Sequence, residues 1–422
     1  MIPNRAVSPA TFLLRIESLR LRARRLTGLR AIVGLKPHQD IQPEQWEALE
    51  NQLAAVSNRL LQQLRVYTDN YLSEYRDRSM RYTLMNRLGE MELEIGQAYN
   101  FYDTFVDLLT QRLSDDIGPL LKGCDVIAAD GLNRGFLAEI TAAPLVYCDR
   151  GFGAKMLRQG VCATPHTPNP VPLIGIPYSR LIEKYNLMSI YHEVGHQALA
   201  KLNLTTLLQR VTAEAVARAG ASPLLQRQFG LWSRELAPDF WAFGLTGMAQ
   251  TASIRDVLVL PHAAMFHVSP HQQHPPAYLR FLASVAWCRL IWGQGDWDVW
   301  AEEWQELYPL QPLDPVTRQN IAAATRVLDA VARALITTRF KKLDGKPLAA
   351  LFNFDTLQPG RLKALASKEA LAALSFRQHP LGVQLAAFRL MREKRLMKLP
   401  ELDTLMTQWI TQLPTSSLLQ KN

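Results

Sequence analysis

His192-Glu193-Val194-Gly195-His196 stands in a segment, Tyr185 to Leu202, whose residues Leu187, Ile190, Tyr191, Val194, Ala198 and Leu199 form a helical apolar stripe free of proline. A helix turns about 100° per residue, so side chains four apart share a face, and the imidazoles of His192 and His196 can grip one Zn2+ ion. Glu193 then lies beside the metal's open position, where a carboxylate can take a proton from water. The plainer alternative is a buried helix whose two histidines satisfy each other or a backbone carbonyl. Burying two His and a Glu on one apolar helix is costly without a metal or partners.

A catalytic zinc site takes three protein ligands and leaves a fourth position to water. The extended form HExxHxxGxxH is absent, because Leu199 stands at its Gly and Leu202 at its third His; this removes the metzincins. The remaining common solution is a Glu on a later helix, followed four residues on by an Asp that hydrogen-bonds a ligand imidazole. Glu235 and Asp239, in the segment Ser233 to Phe243, have that spacing. Pro238 falls between them, and proline is at home in a first helical turn, so the helix presenting Glu235 is expected to begin near Ser233 as its cap. Glu214 competes as third ligand, but Arg218 four residues on reads as its surface ion-pair partner.

With HExxH followed by ExxxD, the middle third of the chain resembles the gluzincin metallopeptidases, the thermolysin-like group. The resemblance implies that His192, His196 and Glu235 hold Zn2+, that Glu193 is the general base of peptide hydrolysis, and that Asp239 orients a ligand imidazole from behind. It departs from the best-known members in the 38 residues between His196 and Glu235. In such proteins the strand before the zinc helix binds substrate by strand addition. Asn169 to Tyr178 reads as a short strand bracketed by prolines, an edge, with Leu173, Ile174, Gly175 and Ile176 as substrate-binding candidates. An ordinary edge strand blunted against aggregation fits the same residues. Ala143 to Asp149 is the expected neighbour.

Downstream, His262, His267, His271 and His274 precede Pro275-Pro276-Ala277-Tyr278-Leu279-Arg280. Metallopeptidases commonly stabilise the oxyanion with a His, Tyr or Arg, which makes His274, Tyr278 and Arg280 candidates; His-Pro-Pro also reads as a cap starting a helix over 276 to 292. Trp297, Trp300 and Trp304 share a helical face, ordinarily a packing face and alternatively an aromatic subsite. Gly151 and Gly153 lack the third glycine of a dinucleotide fingerprint and read as a turn.

At 422 residues, 48% hydrophobic and 20% charged, the chain can bury a large core. Its four Cys fall in no CxxC or CxH spacing, which argues against a zinc knuckle, a redox dithiol or a disulfide framework. Neither a signal peptide nor a membrane-span pattern is visible, so a cytoplasmic location is expected. Residues 1 to 40 carry eight Lys or Arg against two acids, most of the chain's +9. The Arg-rich helix over 12 to 32 could touch nucleic acid, an anionic membrane or an acidic partner protein; a solvated face over an apolar back is the commoner meaning.

Trp46, Leu49, Leu53, Val56, Leu60, Leu64, Tyr67 and Tyr71, then Tyr82, Met85, Leu88, Leu93, Tyr99, Tyr102, Phe105 and Leu109, predict a long helical hairpin, a candidate docking element for a protein partner. The expected fold is mainly α with a small mixed β-sheet (α+β). A zincin-like core at 121–310 is flanked by the helical hairpin region at 1–120 and by helices at 311–422. The expected function is zinc-dependent hydrolysis of a peptide or protein substrate. The alternative is a non-catalytic helical interaction protein with a structural or relict zinc site, whose basic N-terminal helix and hairpin bind a partner.

Overall fold

The computed structural model describes residues 9–70, 72–135, 137–151, 153–164, 167–269 and 272–419. Tyr71 and His271 lie outside these residues. The chain forms two compact units, Met1–Lys122 with Leu157–Leu173, and Gly123–Met156 with Ile174–Asn422. Both are mainly helical, and no described helix is long and apolar enough to cross a membrane.

In the first unit, α1 (Pro9–Arg25) packs on α2 (Pro43–Asn70) and α3 (Arg78–Thr110). Its buried residues Phe12, Ile16, Leu19 and Ala23 step by three and four, as do Trp46, Leu49, Leu53, Val56, Leu60, Leu64 and Tyr67 of α2. Along α3 the buried line runs through Leu84, Leu88, Met91, Ile95, Ala98, Tyr102 and Phe105. Tyr82, Met85 and Leu93, expected on the hairpin's inner face, point to solvent instead, Met85 one helical step off that line and Tyr82 and Leu93 on the opposite side of the helix. Arg22 closes the bundle with a two-pronged bond to Glu92, both contacts at 2.6 Å, and Arg20 donates to the Thr68 hydroxyl.

The second unit begins within α4 (Ile117–Leu132) and includes a three-stranded sheet of β1 (Leu145–Asp149), β2 (Lys155–Leu157) and β3 (Leu173–Pro177), in the order β1-β3-β2. The strand expected at an edge is therefore the central one. All five of its residues are buried, and its backbone edges face β1 on one side and β2 on the other. Its prolines mark its ends, Pro172 just before it and Pro177 as its last residue, where the loss of a ladder donor matters least.

Three consecutive helices follow: α5 (Met188–Lys201), α6 (Thr205–Arg218) and α7 (Pro223–Thr246). Asn203 (φ 55°) and Gly220 (φ 76°) make the two reversals. Helix α7 packs along both α5 and α6, so α6 is what fills the long interval between His196 and Glu235. The start expected near Ser233 is corrected: α7 begins ten residues earlier, with the Ser222 hydroxyl capping the Leu225 amide and Pro223 in the first turn. Ser233 is mid-helix and donates to the Gly230 carbonyl at 2.7 Å. Pro238 sits inside α7, where it leaves the Arg234 carbonyl without its helical donor. Tight packing against α5 offsets that loss.

Helices α8 (Met248–Val257), α9 (Ala277–Trp292), α10 (Asp296–Leu307), α11 (Pro315–Arg326) and α12 (Leu328–Thr337) extend the same unit, with α12 on α6 and α9. Trp297, Trp300 and Trp304 of α10 are buried; Trp304 lies 4.8 Å from Phe281 and Arg255 stacks over Trp300. They are core. Then α13 (Leu381–Glu393) buries Arg389 completely against the Ala252 carbonyl, Glu393 and Asp256. The last described helix, α14 (Leu399–Leu419), is tied down by Trp409 donating to Gln384 and by the Lys184–Asp403 pair at 2.6 Å. At Ile410 it lies against Gly123 of α4 so closely that no side chain fits at residue 123.

Candidate metal centre

Four of five residues in the pentad are buried, and His196 is half-buried. Gly195 faces α7. A Cβ there would lie 2.9 Å from the Pro238 Cα and 2.9 Å from the Trp241 Cβ, so the missing side chain lets the two helices approach at backbone distance. The far face of α5 is pinned by the Tyr191 hydroxyl, which donates to Asp130 at 2.9 Å, and α7 by the Trp241 indole, which donates to the Gly131 carbonyl at 3.1 Å. Both anchors lie at the end of α4.

This close crossing brings Glu235 to the two histidines. The Nε2 atoms of His192 and His196 are 3.2 Å apart. Glu235 Oε2 lies 3.3 Å from His192 Nε2, and Oε1 lies 3.7 Å from His196 Nε2. Ligands at 2.0–2.2 Å around a tetrahedral ion are separated by about 3.3–3.6 Å. The Nε2–Nε2 separation is close to one edge of such a tetrahedron, each nitrogen has one of the two Glu235 oxygens within 3.7 Å, and two imidazole nitrogens with a carboxylate suit a borderline ion such as Zn2+. Among the described residues, this is the group of His, Cys, Asp and Glu whose ligand atoms converge closely enough to hold a metal.

Behind it, His192 Nδ1 lies 2.8 Å from Asp239 Oδ1. A carboxylate can only accept there, so Nδ1 carries a proton, and Nε2, whose lone pair is free once its own proton is displaced, is directed toward His196 and Glu235. Asp239 is almost wholly buried and is held in turn by the Arg280 guanidinium, with Nε to Oδ2 at 2.5 Å and Nη2 to Oδ1 at 2.8 Å. Burial alone would raise the Asp239 carboxyl, but Arg280 and His192 hold it below its ordinary range. Glu235 is likewise lowered against its burial, by His192, His274 and Arg280. Burial drives His196 down to about 3 and, in the opposite sense, lifts the Glu193 carboxyl.

The other sequence candidates divide. His274 belongs to the cluster, its Nδ1 3.3 Å from Glu235 Oε2 and its side chain 64% exposed. Tyr278 is buried, with its ring against Phe266 at 4.9 Å. Arg280 grips Asp239, and its Nη2 also lies 3.5 Å from His192 Nε2 and 3.9 Å from Glu235 Oε2. Glu214 stands on the exposed face of α6 between Arg210 and Arg218, at 3.7 and 3.8 Å, which rules it out as a ligand partner of His192 and His196 in this geometry. His262 bonds the Pro309 carbonyl. The Arg280–Asp239 grip and the Gly195–Pro238 crossing are not legible in the sequence; the only signals are an Arg four residues past the HPP turn and a proline one position before the Asp. No protein-family model, curated protein or solved structure matches this chain.

Proposed function

We propose that the chain is a zinc-dependent peptidase with a zincin-like core, in which His192, His196 and Glu235 hold the ion. The observation that carries this reading is the convergence of the two Nε2 atoms, 3.2 Å apart, with the Glu235 carboxylate, whose two oxygens lie 3.3 Å from His192 Nε2 and 3.7 Å from His196 Nε2. Bound there, Zn2+ supplies a Lewis acid that polarises a carbonyl oxygen and acidifies water. Glu193, next to His192 on α5, accepts the proton of the attacking water and hands it to the departing amine. Burial supports that role, because a carboxylate whose pKa is lifted from its ordinary range takes up a proton more readily than an exposed one. His274, beside Glu235 and open to solvent, is placed to donate a hydrogen bond to the oxyanion. Asp239 and Arg280 keep the His192 lone pair aimed at the ion.

Strand addition at 173–176 does not belong to this reading, since both edges of β3 are occupied. The test is elemental analysis of wild type, Glu235→Ala and Glu214→Ala, followed by peptide-library hydrolysis with Glu193→Gln. The expected result is about one zinc per chain, lost only in Glu235→Ala, with hydrolysis abolished in a Glu193→Gln protein that keeps its metal. A folded wild type that stays metal-free after zinc is supplied, or cleavage that survives Glu193→Gln, would overturn it.

A further inference from the structure

His274 is the exposed member of the metal-centre cluster. Its side chain is 64% exposed, against 9% and 26% for His192 and His196 and 8% for Glu235. Its Nδ1 lies 3.3 Å from Glu235 Oε2, the same oxygen that lies 3.3 Å from His192 Nε2. Two ligands of one tetrahedral ion stand about 3.3–3.6 Å apart, so His274 is already at a ligand's distance from one corner of the site. It falls outside the group of three whose ligand atoms all lie within 4.8 Å of one another. The backbone beneath it is fixed: Pro275 and Pro276, which follow it, are buried, and a residue before proline is biased to extended conformations. The imidazole is therefore the part that moves, by rotation about its own side-chain bonds.

We propose that His274 is a latch: in the substrate-free protein its Nδ1 takes the fourth position at the ion, and a substrate carbonyl oxygen has to displace it. This rests on the zinc reading above. A catalytic zinc site keeps an open fourth position, whereas four protein ligands make a closed site. Imidazole is a favoured ligand of Zn2+, and His274 approaches from the solvent side, which the three deeper ligands leave open. The exchange is a substitution without redox change: the Nδ1 lone pair replaces that of water, and a carbonyl oxygen later replaces the imidazole. The displaced ring keeps its Nε2 proton and stays beside that position, where it becomes the oxyanion donor. The centre is thus quiet until a substrate competes for the ion.

The test compares full-chain wild type, His274→Ala and His274→Leu. Zinc affinity is read by competition with a chromophoric chelator, and coordination by the visible absorption of Co2+-loaded protein, with acetohydroxamate as the exogenous ligand. Loss of an outer partner of a metal ligand costs about 10–100-fold in affinity, so loss of a ligand itself should weaken zinc at least about tenfold in both variants. The cobalt spectrum should change in the variants and return to the wild-type form when imidazole is added. Acetohydroxamate should bind the variants more tightly, because no side chain has to be displaced. A His274 that only donates hydrogen bonds gives the opposite: unchanged zinc affinity, an unchanged cobalt spectrum and weaker acetohydroxamate binding. That result overturns the latch and leaves the three-ligand centre standing, whereas a wild type that takes up neither metal overturns both. The side chain is exposed, so metal-free melting should hold; if His274→Ala melts early, His274→Leu and the imidazole rescue decide.

Discussion

Gly195→Ala adds one methyl group where α5 and α7 cross. That methyl would lie 2.9 Å from the Pro238 Cα, 2.9 Å from the Trp241 Cβ and 3.2 Å from the Pro238 Cβ. Main-chain and Cβ atoms cannot be cleared by a rotamer change, so the helices must separate by roughly 0.5–0.8 Å to restore ordinary contact. Alanine gains about 0.8–1 kcal/mol over glycine in helix propensity, whereas overpacking a core costs about 1–3 kcal/mol. The steric cost should win by about 1 kcal/mol. The effect on metal is sharper, because His192 and His196 ride on α5 and Glu235 on α7. A shift of that size exceeds the tolerance of about 0.2 Å in a metal site, and zinc should dissociate at least about tenfold more readily. Melting of the metal-free protein and competition with a chromophoric chelator read the two effects separately. Gly230→Ala, also on α7, is the internal comparison: its nearest neighbours would be at 3.4 and 3.6 Å, so propensity acts alone, the melt should rise and zinc affinity should not change. A Gly195→Ala protein that behaves like Gly230→Ala would refute the reasoning.

In the metal-free protein, burial alone would push His192 down, but the Asp239 and Glu235 carboxylates raise it to about 10, while His196 is already neutral. Zinc must therefore displace one proton, so apparent affinity should rise about tenfold per pH unit from about pH 6 to 9 and flatten near 10; calorimetry in buffers of different ionisation enthalpy counts the proton, and a count of zero contradicts the geometry. Arg280→Met strands a buried Asp239 charge, which should cost about 3–5 kcal/mol and weaken zinc about 10–100-fold; an unchanged melt and unchanged zinc affinity would show that Asp239 needs no counter-ion. Arg389→Met should cost about 3 kcal/mol, because Asp256 and Glu393 keep Arg392 and Arg255 as partners. A thermal melt checks this, and a rise in stability would mean that the buried arginine network is kept for some other reason.

The helical character and the shared face of His192 and His196 were legible in the sequence because both follow from local spacing: residues four apart share a helical face wherever the helix lies. What was lost depended on contacts between elements. Pro238 reads as a break when α7 is viewed alone; only the facing Gly195 makes the proline a packing surface, although Ser222-Pro223 did mark the true start of the helix. Strand 173–177 looked like an edge because prolines bracket it, yet strand order is set by which segments pair, and a three-residue partner such as Lys155–Leu157 carries almost no pattern. Tyr82 and Leu93 misled because apolar residues on a long helix can satisfy a three-and-four rhythm on the wrong face. Arg280 reads in the sequence as one of three oxyanion candidates, with no sign that its guanidinium is taken up by Asp239.

The seating of Ile410 against Gly123 bears on the order in which the second unit can assemble. Those residues stand 287 positions apart (410 − 123), whereas His192 and Glu235 close a loop of 43 (235 − 192). Loop-closure entropy grows as the logarithm of length, which makes the longer closure dearer by about 1.7 kcal/mol. The crossing that carries the histidines and Glu235 is thus the earlier event and α14 the late clasp. An ion captured at the crossing would act as a folding anchor before the surrounding shell is complete. Native-state hydrogen exchange reads this order directly, as lower protection in α14 than in α5 and α7.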